Sequence, residues 1–362
     1  MRTVTNLTEN QMIDILCQLA LNPDGAADGV QAVRGFGPEA REGFFKLAES
    51  HHVVIRALEP VYREATQSGD MMMAQWASDA LQQEKDRIEN ALVFLHAVCA
   101  ELEAGGCPTT VVKSLDHTPD LGNDLDLYTT AKPDRVLRVM HGKFQAREEP
   151  RSWGDRIAQK WNFAIPGLPE SVEIHVERLG QMGEHTRLAR RFVTRRVTKT
   201  VNGRSYFVPA PEERIIVATL QRMYRHFYFR VCDIANTSSL VESGSLDLVE
   251  LKRATESAGI WSGVATYLNI VSDYMKKYRG RGIILPSFVR ASAVCGGDKI
   301  HPRARFLRVP ILPEGATLYG EQVTKAALNG DVPATLRLSM LPYLATAAAV
   351  AYKVTGSDKG VW

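Results

Sequence analysis

The residues best suited to chemistry are two aspartates one residue apart, in Asn123-Asp124-Leu125-Asp126-Leu127-Tyr128. Polar and apolar residues alternate there as in a strand with one wetted face, so the carboxylates of Asp124 and Asp126 project together while Leu125 and Leu127 face a core. A second alternating stretch, Val172-Glu173-Ile174-His175-Val176-Glu177, puts Glu173, His175 and Glu177 on one face and Val172, Ile174 and Val176 on the other. If the two strands are neighbours, Glu173 supplies a third carboxylate. Three acids on one sheet face repel unless a cation neutralises them, and Mg2+ is held by a few carboxylates together with substrate phosphates. Paired ions about 4 Å apart clamp the attacking and leaving oxygens of an in-line displacement, so the set suits nucleotidyl transfer.

A pair of acids two apart is a short motif that arises by chance, and Glu84-x-Asp86 and Glu101-x-Glu103 also occur. Those two pairs lie in helical patterns, where residues two apart diverge around the axis, and read as solvated faces. On spacing alone, a solvated strand face stays open as the alternative for Asp124 and Asp126.

The acids need elements to hold them. From about Asn6 to Glu103 the pattern is helical, and Leu81, Ile88, Leu92, Leu95 and Leu102 mark a last long helix that Gly105-Gly106 stops. Thr109-Thr110-Val111-Val112 reads as a strand, followed by a polar loop, the acidic strand, a short helix from Pro133 to Met140, and the strand bearing Glu173. Beyond Pro209-Ala210-Pro211 the pattern is helical from Glu212 to about Asn236 and from Leu246 to about Tyr278. The stretch from Gly280 to Glu314 shows no period. The class expected is α+β, with a helical region over 1–104, an α+β core over 105–210 and a helical domain over 211–362.

In the helix expected from Glu212 to Asn236, Ile216, Leu220, Met223, Phe227, Val231 and Ile234 fall on one stripe; Arg222, Arg225, His226, Arg230 and Asp233 fall opposite. The basic face is either an ordinary solvated surface or a set of guanidinium forks for phosphate oxygens.

Composition narrows the classes. The chain's 45% hydrophobic and 23% charged residues are those of a globular protein. Its 44 Lys and Arg against 41 Asp and Glu leave +3, too even for a broad surface fitted to duplex DNA, while small anionic ligands remain open. Five scattered cysteines without a C-x-x-C pair indicate neither a disulfide framework nor a zinc site. The first residues lack the apolar run of a signal peptide, so a cytoplasmic location is expected. Val332 to Val354 is rich in Ala, Leu and Val but interrupted by Arg337, Ser339 and Pro342, which predicts a buried terminal helix and no membrane span.

Val111-Val112-Lys113-Ser114 followed by Asp124-Leu125-Asp126-Leu127 resembles the opening of the polymerase-β-like nucleotidyltransferase superfamily, in which a Gly-Ser pair precedes an Asp-x-Asp. More closely, the chain is similar to the bacterial uncharacterised nucleotidyltransferase family, with its helical lead, Leu-Lys-Gly turn, Asp-x-Asp strand and later Glu-Leu-His. Glu173-Ile174-His175 matches that last element, Phe45-Lys46-Leu47-Ala48-Glu49-Ser50-His51-His52 the lead, and Val231-Cys232-Asp233-Ile234 a later helix. The likeness covers about Phe44 to Met275. It implies a nucleotidyltransferase-like mixed sheet, with Asp124, Asp126 and Glu173 as catalytic metal ligands for Mg2+ or Mn2+. It also implies Ser114 at the triphosphate and His175 behind the ligands; Lys113, in the same turn, and Arg222 and Arg225, on the basic helix face, are expected to meet the phosphate oxygens the metal leaves uncovered. The substrates implied are a nucleoside triphosphate, ATP being the first expected, and an acceptor hydroxyl on a small molecule, a protein or RNA. Lys113 and Ser114 stand where the superfamily and the family have glycine. Glycine lets backbone N–H groups approach phosphate, so the departure also admits a catalytically inactive nucleotide-binding or interaction protein on the same fold.

Overall fold

Residues 8–355 are described by a computed structural model. Among the described residues, five α-helices precede the first strand: α1 (Glu9–Leu21), α2 (Ala27–Arg34), α3 (Pro38–Ser50), α4 (Val54–Gln67) and α5 (Met71–Ala104). The Asp70 carboxylate caps α5 by accepting from Met73 N at 3.1 Å. The helix buries Leu81, Ile88, Leu92, Leu95 and Leu102, and it ends where Gly106 turns to φ +70°. Glu84, expected on a solvated face, is buried instead: Arg87 reaches it at 2.7 Å and joins it to Glu170. A guanidinium one turn away satisfies a carboxylate that tertiary packing covers.

Next come β1 (Thr109–Val111), β2 (Asp124–Thr129), α6 (Pro133–Phe144), β3 (Arg147–Glu148), α7 (Trp153–Ala158), β4 (Lys160–Ala164) and β5 (Ser171–Val176). The sheet order is β1-β2-β5-β4-β3, with β2 and β5 parallel and the other pairs antiparallel. This is the expected α+β class with a mixed sheet between helical regions, and a single apolar core runs through all of it. Leu125, Leu127, Val172, Ile174 and Val176 are buried in that core, as the alternation requires. Glu177 departs from it: with φ +60° it leaves the strand and is exposed, so it does not share the face of Glu173 and His175.

After α8 (Thr186–Thr194), β6 (Arg196–Val201) and β7 (Arg204–Pro209) form a hairpin turning at Asn202-Gly203, both with positive φ. The helix expected from Glu212 to Asn236 is two elements. α9 (Pro211–Thr219) runs into a π-helical turn over Leu220–His226, Phe227 adopts φ +52°, and the chain passes through β8 (Tyr228–Phe229) into α10 (Val231–Glu242). The Phe227 carbonyl accepts from Val309 N, so the break is held from outside the helix.

The second expected helix also divides, into α11 (Leu248–Glu256) and α12 (Trp261–Arg279), at Gly259 with φ +69°. A Cβ at Gly259 would lie 2.5 Å from Lys325 Cβ, so glycine is needed there for space as well as conformation. The unassigned stretch holds α13 (Ser287–Ser292), β9 (His301–Arg303) and β10 (Phe306–Arg308), which pair with β8 in the order β8-β10-β9. The chain then forms α14 (Ala316–Leu328) and α15 (Val332–Thr355). The terminal segment is helical as expected and only partly buried: Ala334 and Leu338 are buried, while Leu336, Tyr343 and Val354 are exposed. Among the described residues, no helix is long and apolar enough to cross a membrane.

Candidate metal and nucleotide site

The register of β2 against β5 sets Asp126 directly beside Glu173 and Tyr128 beside His175. One oxygen of Asp126, one of Glu173 and a ring nitrogen of His175 all lie within 4.8 Å of one another. Asp124 begins the strand on the same face but at its wet end, exposed, and it is not within that group. Strand alternation brought the expected acids to one face; the parallel pairing, invisible in either strand alone, brought two of them together.

The cluster is already full of cations. Lys113 Nζ is 2.5 Å from Asp126 Oδ1. From β4, Lys160 Nζ sits 2.9 Å from Glu173 Oε2 and 2.9 Å from Asp155 Oδ1. His175 Nε2 donates to Glu173 Oε1 at 2.7 Å, leaving Nδ1 buried without a partner. Burial works against charge on Glu173, yet the bond from His175 and the Lys160 ammonium hold its carboxyl well below the usual range. Burial keeps the His175 imidazole neutral despite Glu173. For Asp126 burial dominates: it pushes the carboxyl up to about 7 against the pull of Lys113, with Glu173 and Asp124 adding repulsion. Lys160, on β4, and Asp155, on α7, reach the acids only through the packing of those two elements, which no local pattern in the sequence encodes.

Ser114 is buried, and its hydroxyl belongs to the strand: it accepts from Asp126 N at 2.8 Å and donates to Asp124 O at 3.2 Å. Its single proton is thereby used, and the hydroxyl pins the turn to the acidic strand. Lys113 is not a solvated turn lysine; its side chain is 14% exposed.

The two arginines expected at phosphate part company. Arg222 was placed on a polar face by a continuous helix; the π-helical turn rotates it inward, where it is among the largest fully buried side chains and pairs with Asp233 Oδ2 at 2.7 Å. Asp233 also accepts from Arg230 N at 2.7 Å, so it holds the start of α10 and an arginine together. Arg225 stays at the site. With Lys113, His175 and Gln181 it lines a cavity of about 40 Å³, and its Nε is buried without a partner. His226 is kept neutral by burial, with Arg225, Arg222, Lys113 and Arg230 all opposing its charge.

Behind the turn, His52, His117 and Cys232 also converge. Gly122 makes room for them, since a Cβ there would lie 2.9 Å from His52 Nδ1. Burial keeps both imidazoles neutral, Arg230 opposes charge on each, and His117 Nδ1 already accepts from Asn236 at 2.8 Å. Arginines facing a small group of neutral donors make a poor cation site, whereas the paired carboxylates on the sheet offer the anionic oxygens that a divalent cation takes.

No protein-family model matches the chain, and no curated protein is significantly similar to it. Among solved structures, an antigenic nucleotidyltransferase-like protein from Paracoccidioides brasiliensis is similar at 15% identity and a TM-score of 0.34, over 55% of this chain and 95% of that one. A superposition that loose bears on neither activity nor residues.

Proposed function

We propose that the chain is a divalent-metal-dependent nucleotidyltransferase, moving a nucleoside monophosphate from a triphosphate, ATP being the first candidate, to an acceptor hydroxyl. The observation that carries the reading is the pairing of Asp126 with Glu173 across parallel strands, with Asp124 on the same face. The donor set fits Mg2+ or Mn2+: oxygens of Asp126 and Glu173 converge with a His175 nitrogen beside them, and Asp124 stands exposed on the same face. Asp124, Asp126 and Glu173 would hold the metal, which when bound neutralises charge on the triphosphate and the leaving pyrophosphate. Glu173, kept ionised by His175 and Lys160, would serve as the third carboxylate toward the metal. Lys113 and Arg225 supply the positive charge that phosphate oxygens need beyond the metal. Arg222 orients α10 through Asp233, and Ser114 fixes the turn. The acceptor class stays with small molecules, proteins and RNA.

One observation favours a second reading, a nucleotide-binding protein without turnover: Lys113 and Lys160 neutralise the acids with no metal needed. Pyrophosphate release from a panel of nucleotides and acceptors with Mg2+ or Mn2+ separates the two. The enzyme reading expects turnover that Asp124→Asn lowers on the order of a thousandfold, about 4 kcal/mol, with the fold intact. Nucleotide binding with no release from the unmodified chain would establish the second reading instead.

A further inference from the structure

The two lysines at the acids are not equivalent. Lys160 is fixed between two carboxylates, Glu173 and Asp155, and lies on a strand within the sheet. Lys113 sits at the head of a short 3-10 turn, Ser114–His117, and Asp126 is its one acidic partner among the described residues. Its flexible four-carbon stem can swing without disturbing the backbone, which Ser114 and the bond from Val112 N to Asp126 O hold independently. An ammonium 2.5 Å from Oδ1 occupies the oxygen a divalent ion would need and repels that ion at short range. Arg225, facing the same place, attracts an anion and not a cation.

We propose that Lys113 is a tethered counterion that holds Asp126 in place of a divalent metal, so that metal enters readily only when a triphosphate draws the ammonium away. The inference rests on the metal-dependent reading of the acids and adds an order to it. A triphosphate offers Lys113 several anionic oxygens for the one it leaves, and it brings charge that Arg225 already faces. The acids freed in that exchange then take the metal. The nucleotide-free chain is thus protected from adventitious divalent ions by its own side chain.

The experiment measures Mn2+ affinity by electron paramagnetic resonance for the unmodified chain, Lys113→Ala and Asp126→Asn. Each is read alone and with the α,β-methylene analogues of ATP, GTP, CTP and UTP. Lys113→Gln, which keeps the stem, replaces the alanine variant if circular dichroism shows that variant unfolded. Expected are Mn2+ binding at least tenfold tighter in the Lys113 variant than in the unmodified chain without nucleotide, and at least tenfold tightening of the unmodified chain by one analogue. Equal nucleotide-free affinity in those two, with Asp126→Asn weakening both, would overturn the counterion while leaving the metal site standing. Tighter binding in the Lys113 variant with no analogue helping the unmodified chain would overturn the exchange. Failure of every variant to bind Mn2+ under any condition would remove the metal reading and the inference with it.

Discussion

Two groups of buried acids in this chain are neutralised in different ways. Between α8, α9 and α11, Glu213 is fully buried and takes Arg191 Nε at 2.7 Å and Arg195 Nε at 3.2 Å. The same guanidiniums reach onward, Arg191 to Glu250 at 2.7 Å and Arg195 to Glu212 at 2.7 Å, while Glu212 also accepts from Asp247 N. On β2 and β5 the cations are lysines, and Asp126 is held by one ammonium alone. A guanidinium is a planar fork that fixes two acceptors in one geometry, whereas an ammonium is a point charge on a flexible stem. The first arrangement ties helices together. The second balances the charge of Asp126 with an ammonium that can move away, as the proposed metal and triphosphate site would need.

The difference can be tested by deleting one acid from each. Burial raises the Glu213 carboxyl as well, but Glu213→Gln also takes away an acceptor that two guanidiniums share, so about 2–3 kcal/mol of unfolding free energy should be lost in urea titration. Asp126→Asn should cost under about 1 kcal/mol at pH 8, because an acid pushed up to about 7 is less favourable ionised in the fold than in water. Equal losses in the two variants would erase the distinction.

The lysine-held side is also fringed by neutral imidazoles, and acid sharpens the contrast. Burial lowers His51 to about 4; its Nδ1 accepts from Val231 N and its Nε2 donates to Arg305 O. The unfolded chain therefore binds a proton that the folded chain refuses, so this stability is present above about pH 6.5 and is lost as pH falls toward 4. Glutamine can keep one acceptor and one donor without titrating. Between pH 7 and 4.5 the unmodified chain should lose roughly 2–3 kcal/mol more than His51→Gln, read from paired urea titrations. Parallel losses would show that His51 is protonated without penalty.

The smallest effect belongs to the outer edge of the arginine group. Arg253 is 73% exposed and meets Glu250 one turn away at 2.8 Å. Arg253→Ala should shift stability by less than about 0.5 kcal/mol, as solvated pairs do. A loss approaching that of Glu213→Gln would make the whole network one cooperative unit.

Much of the frame was legible because it rests on local periodicity. The long helix ending at Gly105-Gly106, the strands at Thr109, Asp124 and Val172, and the helical flanks each announce themselves within about ten residues. Some signals were present and unread: Asn202-Gly203 between alternating stretches marks the β6–β7 hairpin, and Gly259 marks the break between α11 and α12. The break at Phe227 had no such mark. A π-helical turn and a left-handed phenylalanine are held by pairing with β10, some eighty residues away, and they turned Arg222 from a phosphate candidate into a buried partner of Asp233.

By itself the sequence determined which side chains face together on each strand, since a period of two depends only on backbone geometry. That decided that Asp124 and Asp126 share a face and that Glu173 and His175 share another. Tertiary structure alone decided that β2 and β5 lie parallel and in a register that sets Asp126 beside Glu173. It alone brought Lys160 from β4 and Lys113 from the turn onto those acids and drew the Ser114 hydroxyl into the strand. The reason is that a charged side chain's partner is chosen by proximity in space under burial, and residues 113, 126, 160 and 173 have no local pattern that encodes their meeting.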